Sequence, residues 1–191
     1  MSSANTASPP SGAQHEIRRG PHRAIVTEVG ATLRHYSMNG VEVIDGFGAD
    51  EWAPSGRGQV LAPWPNRLDR GKYRFEGRDA QAALDEPELQ NAIHGLVRWL
   101  PWRMASKSAD GVALECVLYP QPGYPWQLDL QVTKGFTIGS VQLEAIVSVI
   151  NLFSEETPTS FRTSPLNSNG WGTPTWYQQP RRWEVGFRLE F

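Results

Sequence analysis

"QLDLQVT", residues 127–133, sets Leu128, Leu130 and Val132 on one side of an extended chain and Gln127, Asp129 and Gln131 on the other. That two-residue period marks a β-strand with one face in a core and one toward water. "VQLEAIVSVI" (141–150) repeats it, with Val141, Leu143, Ala145, Val147 and Val149 aligned. Upstream, "RAIVTEV" (23–29) is a short β-rich run ended by Gly30, and "KYRFEG" (72–77) alternates Tyr73 and Phe75 with charged neighbours. "ATLRHYSM" and "VEVID" flank Asn39-Gly40, a dipeptide that favours a type I′ hairpin turn. "WRMASKSADGVALECVLY" repeats the hairpin logic at Asp110-Gly111. No segment shows the three- and four-residue apolar steps of an amphipathic helix. The sequence therefore predicts an all-β protein, an antiparallel sandwich or barrel, without fixing its strand order.

A chain of 191 residues can bury one substantial core, or at most two small ones. Its net charge of -2 and pI near 6.1 argue against a nucleic-acid partner, which needs a basic stripe. The single cysteine, Cys116, alternates with Val112, Leu114 and Leu118 and reads as a small core residue. One cysteine cannot form an internal disulfide and suits a reducing cytoplasm. Residues 1–15 are rich in Ser, Ala, Pro and Gly and are expected as a disordered lead-in. They have neither the basic start nor the apolar stretch of a signal peptide. No run approaches the roughly 18 apolar residues of a membrane helix. The expectation is a soluble, cytoplasmic protein with no membrane partner.

Two polar stretches carry the candidate function. In "LAPWPNRLDRGKYRF" (61–75), Pro63 and Pro65 cannot donate to a β-ladder and deliver Asn66 and Arg67 at a loop mouth. Both side chains offer several hydrogen-bond donors to a polar ligand. The plainer alternative is a turn asparagine followed by a surface arginine. In "NAIHGLVRWLPW" (91–102), His94 precedes Gly95. It reads as a structural histidine unless the fold brings it to Arg67. His15, His22 and His35 show no metal-ligand spacing. No serine occupies a nucleophile elbow and no glycine-rich phosphate loop is present. Among eight tryptophans, Trp52, Trp64 and Trp99 flank the polar motifs and could stack on a sugar ring; the others read as packing.

These motifs resemble the aldose 1-epimerase (galactose mutarotase) family, especially its bacterial branch. "TEVGATLRHY" is similar to the family's first hairpin, "GQVLAPWPNRLDRGKYRFEG" to its Asn-Arg segment and "NAIHGLVRW" to its first histidine motif. "LYPQPGYPWQLDLQV" resembles its Pro-Gly-Tyr-Pro segment, making four matches in order within residues 16–150. The resemblance implies a galactose mutarotase-like antiparallel β-sandwich that binds an aldose, a hexose, in an open cleft. It assigns substrate binding to Asn66, Arg67 and His94. It implies anomer interconversion by acid/base ring opening, with no metal and no other cofactor.

The departures are specific. The family's acid is a second histidine in a His-Pro-Tyr type motif, where this chain has "SEETPTSFRTSPL". Its base is a glutamate near the end of a longer chain, and Glu184 and Glu190 lie in unmatched sequence. No catalytic residue is therefore carried over. The expected organisation is a lead-in (1–15), the N-terminal part of a sandwich (16–158) and an irregular tail (159–191) in which only "WEVGFRLEF" could form a strand. The resemblance covers roughly half a family member, and a frameshift or wrong gene end is the expected origin of the tail. An incomplete sandwich predicts that strands 127–133 and 141–150 lack partners and favour association. The alternatives to a mutarotase are a non-catalytic carbohydrate-binding protein and a non-functional fragment.

Overall fold

The computed structural model describes residues 8–75 and 77–136 in full, and beyond them the backbone of four strands within 143–189. The chain opens with β1 (Gln14–Arg19), β2 (His22–Thr27), β3 (Leu33–Met38) and β4 (Val41–Glu42), an antiparallel meander. Two short ribbon strands follow, β5 (Arg67–Asp69) and β6 (Lys72–Phe75), then β7 (Arg78–Gln81) and β8 (Asn91–Ile93). The second large sheet comprises β9 (Arg103–Lys107), β10 (Gly111–Leu118), β11 (Leu128–Phe136) and β12 (Leu143–Asn151). The remaining strands are β13 (Pro158–Phe161), β14 (Pro174–Tyr177) and β15 (Trp183–Leu189). The second sheet has the order β15-β12-β11-β10-β9, while β5 pairs β8, β6 pairs β7 and β13 pairs β14.

The two large sheets bury one common core. Ile17, Ala24, Val26 and Tyr36 come from the first; Val112, Leu114, Leu128, Leu130 and Val132 come from the second. These are the inward residues of the two-residue period, so the alternation in 127–133 does place the leucines and Val132 inside. Cys116 is in the same core, and burial pushes its thiol up to about 11, leaving it inert as a nucleophile. The period continues to Lys134, which is buried on the core face. Its Nζ donates to the carbonyls of Ala31 at 2.6 Å and Gly58 at 3.3 Å, and burial pulls its pKa down to about 7. A lysine thus fastens β11 to the loop that leads toward the candidate site.

Three expectations need correction. The lead-in is not free through residue 15: β1 begins at Gln14, and buried Ser11 donates from Oγ to the Ala49 carbonyl at 2.7 Å. Main-chain bonds from Glu28 to Ala13 and Val29 to Ser11 hold this segment, which composition could not reveal. Residues 1–7 lie outside the described residues. The Asn39-Gly40 turn has φ of 53° and 78°, as a type I′ turn requires, but Asp110 and Gly111 do not have positive φ. Asp110 instead spends its carboxylate on Arg19 at 2.6 Å and on the Ser108 hydroxyl at 2.8 Å, within a longer turn. Finally, β12 is not left unpartnered: β15 pairs it antiparallel from Leu143↔Leu189 to Val149↔Trp183. β15 lies within "WEVGFRLEF", the one stretch beyond Pro158 read as a possible strand, while β13 and β14 are strands that the irregular reading of that segment did not include. The side chains of 141–150 and of Glu184, and all of Glu190, lie outside the described residues.

Candidate functional site

The Asn-Arg and histidine motifs meet because β5 and β8 pair, setting Arg67 opposite Ile93, Leu68 opposite Ala92 and Asp69 opposite Asn91. The chain enters β5 through a cis Ala62-Pro63 peptide and through Asn66, whose φ is 59°. Asparagine is among the few side chains that accept this left-handed backbone. Just past β8 the backbone is left-handed at two successive residues, His94 at φ 64° and Gly95 at φ 71°. A Cβ on Gly95 would stand 2.1 Å from the Ala62 carbonyl oxygen, while Leu96 N–H donates to that same oxygen at 2.7 Å. Only glycine allows the two chains to approach so closely.

Asn66 and His94 are joined through two main-chain groups of Asn66. The His94 N–H donates to the Asn66 carbonyl at 2.8 Å, and the Asn66 N–H donates to His94 Nδ1 at 3.1 Å. A ring nitrogen that accepts carries no proton, so neutral His94 bears its hydrogen on Nε2. Burial first, then the cations of Arg98 and Arg67, hold the imidazole below its ordinary value of 6.5, against the opposing pull of Glu86 and Asp85. His94 is therefore neutral at pH 7, with Nε2–H as a donor. Gly56 adjoins the ring: a Cβ there would stand 3.4 Å from His94 Cδ2 and 3.7 Å from Nε2.

Arg67 is clamped by a residue the sequence reading passed over. Its Nε donates to Glu86 Oε2 at 2.6 Å and its Nη2 to Glu86 Oε1 at 2.8 Å. This hydrogen bonding raises the pKa of Arg67 and lowers that of Glu86. The Nη1 end of the guanidinium has no protein partner among the described residues. Next to Glu86, Asp85 accepts from the Ile93 N–H at 2.7 Å through Oδ1 and from Arg98 Nη2 at 2.7 Å through Oδ2. The paired carboxylates thus pin both arginines that flank His94. Gln59 completes the frame by donating from Nε2 to the Arg98 carbonyl at 2.8 Å. The signal in the sequence was "DEP" at 85–87, an acidic pair stopped by a proline shortly before the histidine motif.

Two of the three candidate tryptophans meet, and Trp64 lines a separate cleft. Exposed Trp52 and Trp99 meet edge to face at 5.5 Å between centroids, and the Arg98 guanidinium lies 4.9 Å from the Trp99 ring. Trp64 instead lines a cleft of about 240 Å³ with Pro63, Leu68, Tyr73, Phe75, Tyr124 and Trp126. Along β5, Leu68 points away from Arg67, so that cleft lies on the opposite side of the ribbon. Asp69 lies outside the cluster, at the far end of β5 from Asn66. Three buried polar side-chain atoms have no partner among the described residues: Gln59 Oε1, Trp64 Nε1 and Arg98 Nε. All belong to the segments that form or frame the cluster. Chemically, the cluster offers two donors with no protein partner among the described residues, the Arg67 Nη1 end and His94 Nε2–H, on a backbone fixed by left-handed turns. Among the described residues, no group of three or more His, Cys, Asp or Glu is placed to hold a metal ion. No described helix is long and apolar enough to cross a membrane.

A family model described as aldose 1-epimerase matches residues 14–162. A curated relative, the uncharacterized protein YihR of Escherichia coli (strain K12), is 34% identical over 122 residues, covering 64% of this chain and 40% of that relative. A GalM/aldose epimerase homologue from C. elegans superposes with a TM-score of 0.62 at 18% identity, covering 72% of this chain and 46% of that one. A putative aldose 1-epimerase from Escherichia coli K12 gives 0.61 at 17% identity, covering 76% and 48%. The chain therefore spans less than half the length of each of these three relatives, and the structural matches establish a common mutarotase-like fold.

Proposed function

The chain belongs to the aldose 1-epimerase family, and from that premise we propose that Asn66, Arg67 and His94 bind a hexose for acid/base interconversion of its α and β anomers. The observation that carries this reading is the Asn66 N–H to His94 Nδ1 bond at 3.1 Å, which fixes an Nε2–H donor beside Arg67. Sugar hydroxyls and the ring oxygen accept from such donors, and a neutral imidazole with a charged guanidinium suits an uncharged polar ligand. In the reaction, a base takes the anomeric hydroxyl proton while an acid protonates the ring oxygen. The ring opens, C1 turns about C1–C2, and closure gives the other anomer. His94 supplies a hydrogen bond that holds the sugar, Asn66 fixes its tautomer and Arg67 orients the hydroxyls. Residues 1–191 hold no histidine after His94. That observation favours a second reading, in which this polypeptide binds the sugar without turning it over.

Titration calorimetry with D-galactose and D-glucose tests the binding claim. Arg67→Ala should weaken affinity by about 1.5–3 kcal/mol, because a lost charged donor leaves sugar acceptors unpaired. Equal affinity in mutant and parent would remove Arg67 from the site.

Binding should also depend on pH with a defined sign. Protonation of His94 puts a hydrogen on Nδ1, where it confronts the Asn66 N–H, and breaks the bond that aims the ring. Since the folded pKa lies below 6.5, affinity should be constant above that value and fall as pH drops through the lower folded pKa. Linkage gives the stability the same direction. Unfolded His94 takes up its proton first as pH falls, so folding weakens from about 6.5 down to the folded pKa. Affinity that rises on acidification would contradict the assigned tautomer.

A further inference from the structure

We infer that Glu86 is the positioning residue of this site, the group that aims Arg67 at its ligand. The inference rests on the sugar-site reading above and goes beyond the three residues that the family motifs mark. Arg67 emerges from a three-residue strand, and its side chain is about half exposed. A long side chain on so short an element would otherwise sample many rotamers. Glu86 removes that freedom by taking the Nε and Nη2 donors together in one bidentate contact, leaving the Nη1 end outward. The clamp is itself built. Glu86 and Asn91 exchange main-chain hydrogen bonds at 3.0 and 3.1 Å. The three-residue 3-10 turn Pro87–Leu89 closes this loop, ending on Gln90 in the left-handed region at φ 55°. Asp85 ties the same loop to β8 through the Ile93 N–H. The carboxylate is therefore set by the strand that also delivers His94, so the two ligand-facing donors share one frame. Glu86 touches the ligand only through Arg67.

The test combines a spectroscopic reading with a double-mutant cycle on the 191-residue chain. In the parent, the Arg67 Nε–H should give a distinct, slowly exchanging NMR resonance. Glu86→Ala should return it to the position and exchange rate of an exposed arginine. Glu86→Ala should also weaken D-galactose binding roughly tenfold, the scale of a displaced charge-assisted donor. Glu86→Gln, which keeps the shape and one acceptor, should fall between. In an Arg67→Ala background, Glu86→Ala should change affinity by less than about twofold, because its effect passes through Arg67. A full tenfold loss in that background would overturn the inference, as would an unaltered Arg67 Nε–H resonance in Glu86→Ala. If neither Arg67→Ala nor Glu86→Ala affects galactose binding while the resonance still moves, the clamp stands and the sugar reading fails.

Discussion

Gly95→Ala should destabilise the chain by roughly 3 kcal/mol or more and remove measurable sugar binding, a larger effect than loss of Arg67. Two penalties act together. The residue must hold φ 71°, which an alanine adopts only at a cost. Its Cβ would also stand 2.1 Å from the Ala62 carbonyl oxygen, a backbone atom with no rotamer to yield. Relief requires β8 to withdraw from the 62–66 segment. That movement breaks the Leu96 to Ala62 bond and both bonds between His94 and Asn66. Urea unfolding would show the loss as a lower midpoint with an unchanged slope. A parental midpoint would mean that the close approach of Gly95 to Ala62 does not hold the site together.

Catalysis should be missing by a still larger factor. The polypeptide of residues 1–191 should not speed the optical-rotation decay of fresh α-D-galactose beyond its buffer blank, and His94→Ala should behave identically. His94 with its proton on Nε2 can donate to one side of a pyranose ring, but it cannot accept a proton on the other side at the same moment. Glu86 has both carboxylate oxygens engaged by the Arg67 guanidinium, which lowers its pKa, and it is not free to take a proton from the sugar. The resemblance assigns the missing acid to a second histidine, and the sequence has none beyond position 94. Each positioned acid or base contributes roughly 10²–10⁴-fold, so two missing groups remove about 10⁴-fold or more. Rapid decay abolished by His94→Ala would show that another group supplies the chemistry, with Glu86, Glu184 and Glu190 the first to replace.

Much of the fold was legible because strand periodicity is a local property. The Leu128, Leu130 and Val132 face needed no partner to be recognised, and Asn39-Gly40 declared its turn through the φ values that its residues tolerate. Asp110-Gly111 misled as to turn type because a carboxylate can bond elsewhere, and here it reaches Arg19 across the sheet interface. Lys134 on a core face went unread for a similar reason: its acceptors are main-chain carbonyls of remote loops, which no side-chain pattern records. The site divides along the same line. Asn66, Arg67 and His94 stand in motifs that the resemblance marks. Glu86, Asp85, Arg98 and Gln59 acquire their roles only once β5 pairs β8, since Arg67 and Glu86 are 19 residues apart in the chain. A sequence shows which face a residue takes more readily than which loops will meet.

The most direct measurement is the long-range ¹H–¹⁵N spectrum of the His94 imidazole at pH 7.5, recorded without and with D-galactose. A single sugar site built on Asn66, Arg67 and His94 requires an unprotonated Nδ1, a protonated Nε2, and an Nε2 resonance that moves saturably with galactose while the tautomer stays fixed. A proton on Nδ1, or an Nε2 resonance indifferent to galactose at concentrations that shift other residues, would contradict it.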